Sequence, residues 1–176
     1  MEFLRIVGLG LGAAVGYGIL HDQITARICV EYFTVGHPPL ISSSSPTLLA
    51  LAWGVVATWW VGLPLGLALA IAARGGGRPK TNAAAVAPRV IKLLVVMAAC
   101  AFVAGLAGFL LAEQGSLTLV GEWGDVVPYV RHSRFLADLW AHNASYLSGI
   151  FGGLFVVGMT YHRRGGVPVG SSLTSA

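Results

Sequence analysis

Charged residues interrupt this chain only at intervals, and between them it runs apolar over lengths that match a lipid bilayer. A hydrocarbon core roughly 30 Å thick requires about 20 predominantly apolar residues of helix to cross it. Four segments meet that requirement, at approximately 3–20, 46–73, 91–112 and 136–161. In the first, Arg5 stands close enough to the start for its stem to reach the headgroups. The second follows Ser42, Ser43, Ser44 and Ser45 and opens on Pro46, the pattern of a Ser N-cap with Pro at the first helical position. The fourth is clear from Leu139 to Tyr161, with a helix start nearer Ser133. The pattern predicts an all-α polytopic membrane protein: a four-transmembrane-helix bundle over residues 1–164, with helix extensions and a loop on the extracytoplasmic side. The Gly- and Ser-rich stretch 165–176 reads as a disordered cytoplasmic tail.

Composition agrees with the pattern. The 176 residues are 56% hydrophobic and only 10% charged, against roughly 25% charged in soluble domains. That balance excludes a disordered chain, a collagen-like repeat and a coiled coil, and two cysteines are too few for a secreted disulfide scaffold. The apolar start is long for a signal peptide and no small-residue cleavage site precedes His21, so it reads as an uncleaved anchor.

The few charges carry an orientation. Arg5, Arg74, Arg78, Lys80, Arg89, Lys92, Arg163 and Arg164 fall on one side with Glu2, a net +7. Arg27, Arg131 and Arg134 fall on the other with Asp22, Glu31, Glu113, Glu122, Asp125 and Asp138, a net −3. By the positive-inside rule both termini lie in the cytoplasm, and the protein is a multi-pass resident of a cell's inner membrane. The basicity is an orientation signal and not a nucleic-acid footprint, because these residues flank spans and do not line a groove with stacking aromatics.

Helices in lipid associate through close backbone approach, so small residues at four-residue spacing are read as contact faces. These are Gly8, Gly12 and Gly16 in the first span, and Gly62, Gly66 and Ala70 in the second. Ala101 with Gly105, Ala104 with Gly108, and Gly149 with Gly153 serve the third and fourth. Pro64 is expected to kink the second span near Trp60. The connection 74–88 reads as a flexible linker, and its glycines lack the spacing of a phosphate loop.

Candidate chemistry gathers on the outer side, which holds four of the five histidines and six of the seven carboxylates. Residues 21–33, HDQITARICVEYF, contain no breaker, so the first helix is expected to run on toward Gly36 with Asp22, Thr25, Ala26 and Cys29 on one stripe. Arg27 then stands at four-residue spacing from Glu31. In residues 134–146, RFLADLWAHNASY, a helix places Arg134, Asp138, Ala141, His142 and Ser145 on one narrow face beside Tyr146. The candidate cluster is therefore His21, Asp22, Arg27, Glu31, His37, Arg134, Asp138, His142 and Tyr146. Ionisable groups at such depth face a bundle interior or a wet cavity. The loop 113–129, with Gly115, Gly121, Gly124 and Pro128, is expected to form a turn or short hairpin over the cluster.

Three readings of the cluster compete. The first is a structural set of ion pairs, Arg134 with Asp138 and Arg27 with Glu31, in an accessory subunit that docks a membrane-protein partner or a second copy. The second is a metal or haem site in a membrane redox enzyme, with His21, Asp22, Asp138 and His142 as the metal ligands. The third is a titrating cavity in a small proton-linked transporter. No nucleophile elbow G-x-S-x-G is present.

Cys29 and Cys100 are too far apart along their spans to pair, and without a Cys-x-x-Cys the chain lacks what quinone-linked disulfide-generating membrane proteins of similar size require. The strings 21–33 and 134–146 resemble those of four-span bacterial inner-membrane proteins of about this length, a resemblance that implies no substrate, cofactor or catalytic residue.

Overall fold

A computed structural model describes residues 1–165; the expected tail, but for Gly165, lies outside the described residues. The chain folds as α1 (Glu2–Ile28), α2 (Val30–Thr34), α3 (Pro46–Val56), α4 (Trp59–Arg74), α5 (Ala83–Glu113), α6 (Glu122–Val126) and α7 (His132–Arg163), with a 3-10 turn at Tyr129–Arg131 before α7. No strand occurs among the described residues. Four stretches are long and apolar enough to cross a membrane: Glu2–Ile28, Pro46–Arg74, Ala83–Glu113 and Tyr129–Arg163. Lipid offers backbone groups no hydrogen bonds, and the helix is the form that satisfies them within a segment.

The spans form two antiparallel pairs. α1 packs on α3 and α4, α5 packs on α7, and the pairs meet chiefly where α4 faces α7. Of the expected glycine faces, that of α4 is correct: a Cβ on Gly10 would lie 2.5 Å from the Gly66 Cα, so only glycine permits this approach of α1 and α4. The face expected on α1 is not the one used. Gly10 and Gly18 pack against α4 and α3, while Gly8, Gly12 and Gly16 have nothing within 4 Å of where a Cβ would stand. Both sets have four- or eight-residue spacing, and only the partner's position selects between them. Gly105 and Gly108 meet Ala137, Ala141 and Trp140, and Gly149 meets Met97, as small-residue packing predicts.

Two helix breaks matter for the site. The second span is interrupted at Ala57 and Thr58, one turn before the Trp60 carbonyl that Pro64 cannot serve. Thr58 Oγ1 donates to the Gly54 carbonyl at 2.5 Å, and the Tyr146 hydroxyl donates to the Ala57 carbonyl at 3.1 Å, so side chains replace the lost backbone bonds. The first helix also fails to run on toward Gly36. It breaks at Cys29 (φ −146°, ψ 96°), where no Gly or Pro stands. The break turns α2 back over the bundle, burying Cys29, Tyr32 and Phe33 against Phe135 and Leu136. Apolar burial at this end of α7 overrides local helix preference.

At the end carrying the termini, residues 74–88 are tied down instead of flexible. Asn82 caps α5 by accepting from the Ala85 amide at 2.9 Å, and Arg74 donates to the Thr81 carbonyl at 2.9 Å. Arg164, 5% exposed, donates to the carbonyls of Pro79 (2.6 Å), Gly75 (2.9 Å) and Arg78 (2.9 Å), and also to that of Ala72. It serves as a side-chain cap for the C-terminal turn of α4.

Candidate functional site

The candidate site lies between α1, α2, α3 and α7, at the end of the bundle opposite the termini. α1 contributes Tyr17, His21 and Asp22, and α7 contributes His142, Ser145 and Tyr146. The broken second span supplies Trp53, Ala57 and Thr58, while α2 and the turn after it fold Tyr32, Phe33 and His37 over the top. Together they enclose a cavity of about 90 Å³. Non-helical backbone at membrane depth is tolerated where it is buried or lines such a space, which accounts for the position of the break at Ala57.

The geometry turns on His142. Its Nδ1 lies 2.7 Å from the Asp138 carbonyl, and since a carbonyl only accepts, Nδ1–H is the donor. In the neutral ring this leaves Nε2 with a lone pair, and Nε2 faces Asp22 Oδ1 at 3.2 Å. A lone pair and a carboxylate at that distance require a positive species, a proton or a metal cation. His21 stands beside them, its ring 4.6 Å from that of His142 and its Nε2 buried without a hydrogen-bond partner. One donor atom from each of His21, Asp22 and His142 lies within 4.8 Å of the others. Imidazole, imidazole and carboxylate form a three-ligand set for a divalent transition metal, and the bond from His142 Nδ1–H to the Asp138 carbonyl, on the far side of the ring, fixes the tautomer that ligation needs.

Aromatic rings brace this group. Tyr32 stacks on His142 with centroids 4.5 Å apart, and Tyr17 stacks on His21 at 5.7 Å. The Tyr17 hydroxyl and Ser145 Oγ share a hydrogen bond of 2.9 Å, which ties α1 to α7 directly below the cluster. His37 lines the same cavity, donating Nδ1–H to the Tyr32 carbonyl at 2.7 Å, with its ring 4.8 Å from that of Trp53. The Trp53 Nε1–H is also buried without a protein partner, and the cavity has room for water beside it.

The structure brings together His21, Asp22, His37, His142 and Tyr146, and it separates the rest. Both expected ion pairs are absent among the described residues. Arg27 is exposed and bonds Gln23 Oε1 (2.7 Å) and Thr47 Oγ1 (2.8 Å), because the break at Cys29 carries Glu31 off the α1 stripe. Glu31 instead receives Arg131 Nε at 3.0 and 3.1 Å. Arg134 points to the exposed side of α7, where a guanidinium keeps its hydration, while Asp138 on the same helix is 1% exposed. Asp138 is close to the cluster but faces a different space: it lines a groove with Thr25 and Ala101 and is not in the three-ligand set. The loop expected to hold a hairpin instead carries the short helix α6.

Outside the spans, three groups feel the same packing. Burial, with the hydrogen bond to Glu31, pushes the Cys29 thiol up to about 12, so it stays protonated and both cysteines are free thiols. Burial likewise raises the Tyr32 phenol. Burial would raise Glu31 too, but hydrogen bonds from its own amide, the Cys29 thiol and Arg131 outweigh it and hold the carboxyl below its ordinary value.

Tyr17, Tyr32, Trp53, Thr58, Ser145 and Arg131 were not singled out from sequence as site residues. Tyr17 and Ser145 had a readable signal, since each stands one turn from a flagged histidine. Thr58 had one in the kink that Pro64 marks, whereas Arg131 had none, because the break at Cys29 that brings Glu31 to it carries no Gly or Pro.

No family model matches the chain, and neither does any curated protein or solved structure.

Proposed function

We propose that this protein binds a divalent transition metal inside the membrane, through His21, Asp22 and His142. The observation that carries the reading is the fixed tautomer of His142: its Nδ1–H is committed to the Asp138 carbonyl, and its Nε2 lone pair faces the Asp22 carboxylate beside His21. Three protein ligands in front of a small cavity leave a coordination position for water or a ligand, the arrangement of catalytic and not structural metal sites. The charge pattern supports an inner-membrane location with both termini cytoplasmic and the metal near the outer boundary. The motif resemblance supports a bacterial setting.

The test is elemental analysis of the full chain purified in mild detergent after equilibration with zinc, iron, copper or manganese and removal of free ion. About one metal per chain is expected, falling to background in Asp22→Ala and in His142→Ala. Background metal in the unaltered protein overturns the reading and leaves a proton between His142 Nε2 and Asp22 Oδ1 in its place.

A second reading, an accessory subunit that docks a partner helix, is supported by the Gly8, Gly12 and Gly16 face that none of the protein's own helices covers. Crosslinking through a cysteine placed at Gly12 tests it; a crosslinked dimer or hetero-complex in native membranes supports docking, and exclusively monomeric product removes it.

A further inference from the structure

We propose that the groove between α1, α5 and α7 binds a membrane quinone. The groove exists because α1 is drawn onto α3 and α4 while α5 is drawn onto α7, so a gap of about 460 Å³ opens between the two pairs on the lipid side. Its mouth is apolar: Leu20 and Ile24 on α1 and Phe102 and Leu106 on α5 are 47 to 71% exposed and present free faces to the bilayer.

The inner end is different. Asp138 lines the groove at 1% exposure, and neither carboxyl oxygen completes a hydrogen bond with the protein, since the Cys29 amide that approaches it is committed to the Thr25 carbonyl at 2.9 Å; the His21 ring lines the groove as well. A buried polar atom left unpaired is costly, and within lipid that cost is relieved only by a partner or a ligand. An acyl chain fills the apolar part and leaves Asp138 unpaired. A phospholipid headgroup brings a phosphate's negative charge to the Asp138 carboxyl, 1% exposed, where like charges repel and neither keeps its hydration.

The occupant must therefore be lipid-soluble, carry an uncharged head that accepts and donates hydrogen bonds, and tolerate an aromatic wall. Phe102, Phe109 and Tyr17 supply that wall. A quinone meets each requirement. Its ring lies against these faces, and an oxygen of its head hydrogen-bonds the Asp138 carboxyl, the quinol hydroxyl acting as donor. The isoprenoid tail leaves through the mouth past Phe102 and Leu106. Tyr17 and His21 line both this groove and the cavity of the metal cluster, so the quinone head would sit one ring from the three-ligand set. The inference does not rest on the metal reading, since Asp138 is not one of the three ligands.

The experiment uses the full chain in quinone-free phospholipid nanodiscs, titrated with decylubiquinone and read by tryptophan quenching, with an azidoquinone to map contacts. Saturable quenching is expected, with photolabel on α5 around Phe102 and Leu106. Ala98→Trp, which fills the mouth from an exposed position, is expected to weaken binding at least about tenfold, as is Asp138→Leu; Asp138→Asn, which keeps a hydrogen-bonding group of the same shape, stays within about threefold. Metal content measured on Ala98→Trp reports whether the fold and the neighbouring cluster survive. Where the unaltered protein holds no metal, the circular dichroism spectrum takes over that role, so the two readings fail separately. Non-saturable partitioning, or saturable binding unchanged in both Ala98→Trp and Asp138→Leu, overturns the proposal.

Discussion

The two ends of the bundle treat buried polarity in opposite ways. At the termini end the apolar core of Ile6, Leu69, Ala70, Ala73, Val86, Val90 and Val156 has the buried Thr160 and Arg164 beside it, both hydrogen-bonded, Thr160 by Arg89 at 3.4 Å and Arg164 to backbone carbonyls. Arg164 caps α4, Asn82 caps α5, Glu2 accepts from the Ala83 amide, and Arg78 lies over the Tyr161 ring. At the other end the core of Ala26, Cys29, Tyr32, Phe33, Phe135 and Leu136 is interleaved with Asp22, Thr25, Asp138, His142 and Ser145. Among the described residues, the buried side-chain atoms without a protein partner, His21 Nε2, Trp53 Nε1 and both Asp138 oxygens, all lie at this second end. One chain thus shows that it can satisfy its polar groups and, in one place, does not. Unpaired polar atoms in lipid do not add stability, and it is at this second end that the proposed site lies.

The comparison breaks most directly through the double replacement Asp22→Leu with His142→Leu. If the polarity serves function, metal binding disappears while the apoprotein keeps its stability or gains about 1–4 kcal/mol, because well-packed apolar residues replace a desolvated pair. Unfolding in detergent measures this, and a large loss of stability would make the cluster structural. Arg164→Ala tests the other end. It removes four charge-assisted bonds to carbonyls and is expected to cost about 2–4 kcal/mol without changing metal content.

Glycine replacements sharpen the packing side of the contrast. Gly10→Leu drives a Cβ into the Gly66 backbone and is expected to destabilise by about 1–3 kcal/mol or more. Gly12→Leu, two residues away on the open face, is expected to stay within about 0.5 kcal/mol in the isolated protein. Equal effects would mean that α1 presents its other face to α4.

The smallest effect concerns the Glu31–Arg131 pair, 20 and 25% exposed, worth less than about 1 kcal/mol. The Glu31 carboxyl is held below its ordinary value of 4.5 in the folded protein, so the pair's contribution is complete above that pH and lost as pH falls through the lower folded value. Stability measured from pH 6 down to pH 3 is expected to fall less steeply in Glu31→Gln, and identical slopes would show that the pair contributes nothing.

Much of this was legible before any fold was known. Hydrophobic length is a one-dimensional property, so four spans and the gathering of His and carboxylates at one end could be read directly. The stripe of Asp22, Thr25, Ala26 and Cys29 was also legible, because it follows from helical spacing, and all four are buried. Choosing between faces of one helix was not. Gly8, Gly12 and Gly16 and the set Gly10 and Gly18 carry equivalent signals, and the position of α4 decides which is used. The Arg27–Glu31 pair was misassigned for a related reason: a break at Cys29 with no Gly or Pro re-aims Glu31.

What the amino-acid order determined alone is therefore how many helices cross the bilayer and which end carries the ionisable residues, because both depend on local polarity summed along a segment. The tertiary structure alone decided that His21, Asp22 and His142, separated by 120 residues of chain, share one cavity, and that Asp138 turns away into a groove of its own. Contacts across that separation depend on the crossing of α1 and α7, and side-chain packing against neighbouring helices, unlike hydrophobic length, is set by where those helices stand.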